Sequence, residues 1–159
     1  MKNGVLGLGV IGCGAIAIRS VFEHFSIGDL ENVVQVAAVC DPVPGRAKGT
    51  AEKYGYPAYY ESFDDLLLDP NIDILTICSP INFHFEQGMK AISAGKHIHF
   101  NKTMALTVEE CDQLIAAAKA KGVKIIASPN KIMFPHLQRI RRLVLEGKLG
   151  TLGYTFSSH

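Results

Sequence analysis

Two rhythms of apolar and polar residues take turns along this chain. Short apolar runs of strand length recur at residues 5–11, 34–40, 57–60, 73–78, 96–100 and 123–127. Between them lie longer stretches whose apolar residues fall three or four apart, the spacing of a half-buried helix. These stretches are 12–25, which opens as a turn, then 46–54, 62–68, 84–94, 107–121 and 135–146. In the first, Ile16, Val21, Phe22 and Phe25 make an irregular apolar face. Gly55, Gly95 and Gly122 stop helices, and Pro42 and Pro44 keep the turn after the second strand extended. Thr107 with Glu110 spells a capping box, and Ser62 with Asp65 a shorter version of it. A further strand pattern begins near Leu152.

Strands alternating with helices over nearly the whole chain predict an α/β fold, a Rossmann-like doubly wound parallel sheet with flanking helices. Composition agrees with a folded domain: 159 residues, 48% of them apolar and 19% charged. A net charge of +1 gives no footprint for nucleic acid, and no apolar run is long enough to span a membrane. The three arginines of QRIRRLVLEGK read as a solvated or interdomain helix face. The amino-terminal stretch lacks a secretory pattern. The cysteines at 13, 40, 78 and 111 have no paired spacing, so reduced thiols in a cytoplasmic protein are expected, with a redox or ligand role for Cys13 as the alternative. His97, His99 and His84 lack the further ligand a zinc site needs, and no metal is expected.

The chemistry starts at GLGVIGCGAIA, residues 7–17. Gly12 and Gly14 suit a tight strand-to-helix turn that a ligand approaches closely, and Ala17 is the third small residue of G-x-G-x-x-A. Backbone N–H groups of Gly12, Cys13, Gly14, Ala15 and Ile16, with the positive helix end, can hold a pyrophosphate. The competing reading is a bare turn. Asp41 ends the second strand, where an acid can accept both ribose hydroxyls and repel a 2′-phosphate, favouring NAD over NADP. Arg46 either reaches that phosphate or is a solvated charge. Asp41 has its own alternative, a turn cap before Pro42. After the fourth strand, Ser79, Pro80, Asn82 and His84 either line the ligand crevice or shape and cap the next helix. Asn101 and Lys102 end the fifth strand. Lys102 is the catalytic candidate, since hydride removal from an alcohol carbon requires the hydroxyl proton to leave too; a solvated lysine is the alternative.

The ordered set GVIGCGAIA, VCDPVPGRA, TICSPINFH, AISAGKHIHFNKTMALT and FPHLQRIRRLVLEGKLG resembles the glucose-fructose oxidoreductase and inositol dehydrogenase family (Gfo/Idh/MocA) over essentially the whole chain. The resemblance implies a nicotinamide-dependent dehydrogenase of sugars, polyols or cyclitols. It assigns Gly12, Gly14 and Ala17 to the cofactor fingerprint, Asp41 to ribose, and Ser79 to Asn82 to the cofactor cleft. Lys102 corresponds to the lysine of the family's Glu-Lys-Pro triplet, with Asn101 in place of the acid and Thr103 in place of the proline. Those departures leave a second function open, a catalytically degenerate dinucleotide-binding regulator or scaffold. By the same resemblance, residues 1–150 are the dinucleotide-binding domain. Residues 151–159 begin the crossover into a substrate and oligomerisation domain beyond this chain, so a homo-oligomer is expected of the full-length protein.

Overall fold

The computed structural model describes residues 4–128 and 130–156. They fall into two compact units, 4–128 and 130–156. The first unit holds six strands: β1 (Leu6–Ile11), β2 (Val34–Cys40), β3 (Ala58–Tyr60), β4 (Ile74–Ile77), β5 (His97–Phe100) and β6 (Ile125–Ala127). They form one sheet in the order β3-β2-β1-β4-β5-β6, every neighbouring pair parallel. A parallel sheet is covered on both faces, which is why its strands read as near-continuous apolar runs. Val10, Ile11, Val39, Cys40, Leu75 and Ile77 are all buried to 2% exposure or less.

Two cores result. One gathers Leu75, Ile77, Ile98 and Phe100 with Leu66, Ala91 and Leu114. The other gathers Leu8, Val10, Val36 and Val39 with Ala17, Val21, Phe22, Ala47 and Ala51. Each large aliphatic or aromatic side chain so buried stabilises the fold by about 1.5–3 kcal/mol.

The helices begin with α1, which is α-helical over Ala15–Ala17, a π-turn over Ile18–Phe22 and α-helical again over Glu23–Phe25. An uninterrupted α-helix was the expectation from sequence. The wider turn brings Phe22 back over Ala17, five residues before it, and both are buried, whereas a 3.6-residue turn leaves positions five apart well out of line. Next come α2 (Arg46–Tyr54), α3 (Phe63–Leu68), α4 (His84–Ser93), which follows a 3₁₀ turn at Ile81–Phe83, and α5 (Val108–Lys121). The capping box of α5 is complete: the Glu110 N–H donates to Thr107 Oγ1 at 3.1 Å and Glu110 Oε2 accepts the Thr107 N–H at 3.3 Å. At α3, Ser62 Oγ accepts the Asp65 N–H at 3.3 Å.

In the second unit, a 3₁₀ turn at Asn130–Met133 leads to α6 (Pro135–Leu145), which has proline in its first turn and no buried residue. The strand expected from Leu152 is not formed over residues 151–156, and the remainder of that expectation lies outside the described residues. A strand is stable only with a ladder partner, and hydropathy alone supplies none.

Candidate functional site

Strand order reverses at β1, and in an open α/β sheet the crevice outside the carboxyl ends of the strands at such a point receives the ligand. The loops that follow β1, β2, β4 and β5 all open on this edge.

The loop after β1 turns at Gly12, whose φ is +90°. A Cβ there would lie 2.8 Å from the Cys78 carbonyl carbon and 2.9 Å from both its oxygen and the Ser79 nitrogen, all backbone atoms at the end of β4. Only glycine fits, by conformation and by space. The Gly12 N–H donates to the Cys40 carbonyl at 2.8 Å, and the Cys13 N–H to Asp41 Oδ2 at 2.9 Å. Both amides are thereby used inside the fold, which corrects the expectation that they face a phosphate. Gly14, Ala15 and Ile16 remain exposed at the start of α1, where helix geometry leaves N–H groups without intrahelical acceptors. A Cβ on Gly14 would meet nothing within 4 Å, so the fold itself leaves room there for a ligand.

Asp41 is buried to 3% exposure. Its carboxylate accepts the Cys13 N–H and, through Oδ1, the Val43 N–H at 2.9 Å. Arg46 Nη1 lies 3.4 Å from Oδ2, with the arginine side chain 48% exposed and the aspartate side chain 5%. The acid therefore braces the glycine turn from β2 and carries the guanidinium on its outer side.

Neither Ser79 nor Asn82 caps the helices that follow β4. Ser79 Oγ donates to Gln87 Oε1 at 2.6 Å, a partner with no signal in the sequence, while Pro80 and Asn82 are exposed. His84 is fully buried, so its side chain presents no atom to a ligand; its Nδ1 lies 2.7 Å from the Thr103 carbonyl oxygen and its Nε2 2.9 Å from that of Ser79. After β5 the Asn101 N–H donates to the Ile77 carbonyl at 3.0 Å. Asn101 Nδ2 donates to Ser20 Oγ at 2.6 Å, linking this loop to the π-turn of α1; Ser20 in turn donates to the Ile16 carbonyl. Lys102 is exposed, and its amine has no hydrogen bond or ion pair among the described residues. The Lys102–Thr103 peptide is cis.

The four cysteines are unpaired. Burial pushes the Cys13 thiol from an ordinary 9.0 up to about 11, Cys40 to about 12 and Cys78 to about 11. These are poor nucleophiles, since the reactive form is the thiolate. Between pH 9 and the folded values, the native state holds protons the unfolded chain has released. Their contribution to stability is therefore complete below pH 9 and lost as pH rises toward 11–12. Urea unfolding should show a midpoint that declines steadily above pH 9, with a shallower decline in Cys40→Ala. An identical slope in that variant would contradict the assignment.

His97 Nδ1 accepts the Lys124 N–H at 2.9 Å, and His99 Nδ1 lies 3.4 Å from Thr76 Oγ1. Burial lowers the pKa of His99. No group of three or more metal-ligating side chains occurs among the described residues. None of their helices is long and apolar enough to cross a membrane. A cavity of about 950 Å³ opens at the amino ends of β1, β2 and β3, lined by Leu6, Val34, Ala58 and Tyr56 among others. It lies away from every loop just described, so its volume does not mark the site.

A parallel sheet whose order reverses at β1, a glycine turn running into a helix, and an acid at the end of the adjoining strand define a dinucleotide-binding domain of the Rossmann type. The chain belongs to the GFO_IDH_MocA oxidoreductase family, NAD-binding Rossmann fold, whose family model matches residues 6–128. It is 31% identical over 156 residues to D-glucoside 3-dehydrogenase of Escherichia coli, covering 98% of this chain and 43% of that protein. It is 29% identical over 151 residues to inositol 2-dehydrogenase/D-chiro-inositol 3-dehydrogenase of Lactiplantibacillus plantarum, covering 94% of this chain and 41% of that one. The chain thus spans less than half the length of these relatives. Among solved structures, a 3-ketoreductase from Actinomadura kijaniata in complex with NADP and TDP-benzene superposes with a TM-score of 0.82 at 25% identity, over 90% of this chain and 43% of that one. A scyllo-inositol dehydrogenase from Lactobacillus casei with bound NAD(H) and scyllo-inositol shares the fold, with a TM-score of 0.80 at 22% identity, over 92% of this chain and 42% of that one.

Proposed function

We propose that this chain is the cofactor-binding part of a nicotinamide-dependent dehydrogenase that moves hydride between NAD and a carbinol carbon of a sugar, polyol or cyclitol. One observation carries the reading. The exposed first turn of α1 at Gly14, Ala15 and Ile16 opens on the same sheet edge as the loop that presents Lys102. The pyrophosphate would meet these three amides and the positive end of α1. When bound, the nicotinamide supplies the hydride acceptor. Lys102 then handles the hydroxyl proton and the developing charge on oxygen. Support for the substrate class comes from the relatives, named as glucoside and inositol dehydrogenases.

Preference for NAD rests on Asp41, whose negative charge at the end of β2 opposes a 2′-phosphate. One observation favours a second reading. Arg46 lies over that carboxylate with half its side chain in solvent, and a guanidinium so placed accommodates a phosphate. Calorimetric titration of residues 1–159 with both dinucleotides separates the two. NAD is expected to bind more tightly, and Asp41→Ala to narrow the difference. The same variant should also lower stability, because the buried Cys13 N–H loses its acceptor, a change that typically costs about 1–3 kcal/mol. Equal or tighter binding of NADP would transfer the assignment to Arg46. Failure to bind either would remove the cofactor reading altogether.

A further inference from the structure

We infer that His84 is a positioning residue: its imidazole donates from both ring nitrogens and fastens the Lys102 loop to the loop after β4. The ring is fully buried between those two loops. Its Nδ1 faces the Thr103 carbonyl at 2.7 Å and its Nε2 the Ser79 carbonyl at 2.9 Å. Carbonyl oxygens only accept, so both ring nitrogens must carry protons in this arrangement. A ring with one proton would aim a lone pair at a carbonyl across a short contact. Burying a charge is costly unless it is paired and hydrogen-bonded, and the two carbonyls supply the hydrogen bonds for both protons. The Phe100 ring, 5.9 Å away between centroids, packs against the imidazole.

The clasp acts on the backbone immediately after Lys102. On the other side of that lysine, Asn101 is fixed by its N–H to the Ile77 carbonyl and by its amide to Ser20. Lys102 thus stands between two anchored neighbours while its own amine makes no bond among the described residues. Holding the backbone on both sides orders the base of a long side chain without occupying its end. That is what a group must have to meet a substrate oxygen at a defined place. The inference rests on the proposed role of Lys102, and its test is independent of cofactor binding.

The ring is observed directly in residues 1–159 without dinucleotide, by nitrogen-15 NMR of histidine-labelled protein. Both His84 nitrogens should carry protons, with couplings across the hydrogen bonds to the Ser79 and Thr103 carbonyl carbons. A ring with one bare nitrogen overturns the inference. In folded His84→Phe, the Asn101 amide, which donates to the Ile77 carbonyl at the start of this loop, should exchange with solvent roughly 10-fold faster or more, and His84→Gln, which keeps donors, should recover part of the protection. Unchanged exchange in His84→Phe also overturns it. NAD titration of the unmodified chain reports separately on the cofactor reading. A doubly protonated ring in a chain that binds no dinucleotide removes that reading, while a singly protonated ring in a chain that binds NAD removes the clasp alone.

Discussion

Replacing Gly12 with alanine should damage both the fold and cofactor binding, whereas replacing Gly14 should damage binding alone. At Gly12 the new methyl would lie 2.8–2.9 Å from backbone atoms of Cys78 and Ser79, and backbone cannot rotate away as a side-chain tip can. The φ of +90° adds its own strain for any residue with a Cβ. Strain of this kind costs on the order of 1–3 kcal/mol before the steric clash is counted. Relief requires β1 and β4 to part at their carboxyl ends, and those ends set where the first turn of α1 points. Affinity for NAD should therefore fall by roughly 100-fold or more, equivalent to about 2.7 kcal/mol. Gly14 is different. Its backbone is extended, with φ −83° and ψ −173°, and its Cβ direction is open. Gly14→Ala should unfold at nearly the same urea concentration as the parent and still bind NAD more weakly, because the methyl occupies the space of the approaching phosphate. If Gly12→Ala retained both stability and affinity, the turn would not be the constraint it appears in the packing. If Gly14→Ala bound NAD as well as the parent, the phosphate would lie elsewhere.

Much of this architecture was legible in the sequence because it rests on period and punctuation. The six apolar runs became the six strands, and glycines at 55 and 122 stand as left-handed caps where helices were expected to stop. The glycine turn, Asp41 and Lys102 could be placed because each sits at the end of a strand, a position set by chain order. What could not be read was the direction in which short polar groups turn. Asp41 was expected at the ribose end of β2, but nothing in the sequence tells that its carboxylate also reaches back 28 residues to the Cys13 N–H. His84 was a candidate crevice residue, yet its second partner lies 19 residues ahead. The Asn101–Ser20 contact joins residues 81 apart. Such pairings depend on loop geometry and on which strands become neighbours, and hydropathy carries neither. The π-turn escaped for a related reason. A periodicity argument assumes 3.6 residues per turn, and the five-residue step between buried Ala17 and Phe22 marks where that period fails.

Lys102→Ala should separate chemistry from binding more sharply than any other substitution. The proposed reaction breaks a carbon–hydrogen bond as hydride leaves for nicotinamide, and the hydroxyl on the same carbon loses its proton. An amine near that oxygen takes the proton or, as a cation, stabilises the developing charge. The proposed role suits Lys102 because its backbone is fastened on both sides while its exposed amine has no partner among the described residues. The neighbouring position 101 carries a neutral amide committed to Ser20, so it supplies no carboxylate to hold the amine in place. In the proposed reaction the described residues supply groups for the dinucleotide and none assigned to the second reactant, so residues 1–159 are expected to bind dinucleotide without appreciable polyol turnover. In a protein joining this domain to a substrate domain, Lys102→Ala should lower kcat by roughly 100-fold or more, and NAD affinity far less. Lys102→Arg divides the two roles. Arginine keeps the charge but does not give up a proton near neutral pH, so it rescues activity only if electrostatic stabilisation dominates. Turnover measured with several polyols, alongside NAD titration of each variant, provides the comparison. Unchanged turnover in Lys102→Ala would remove the residue from the mechanism, and robust polyol oxidation by residues 1–159 alone would show that the substrate site lies within this domain.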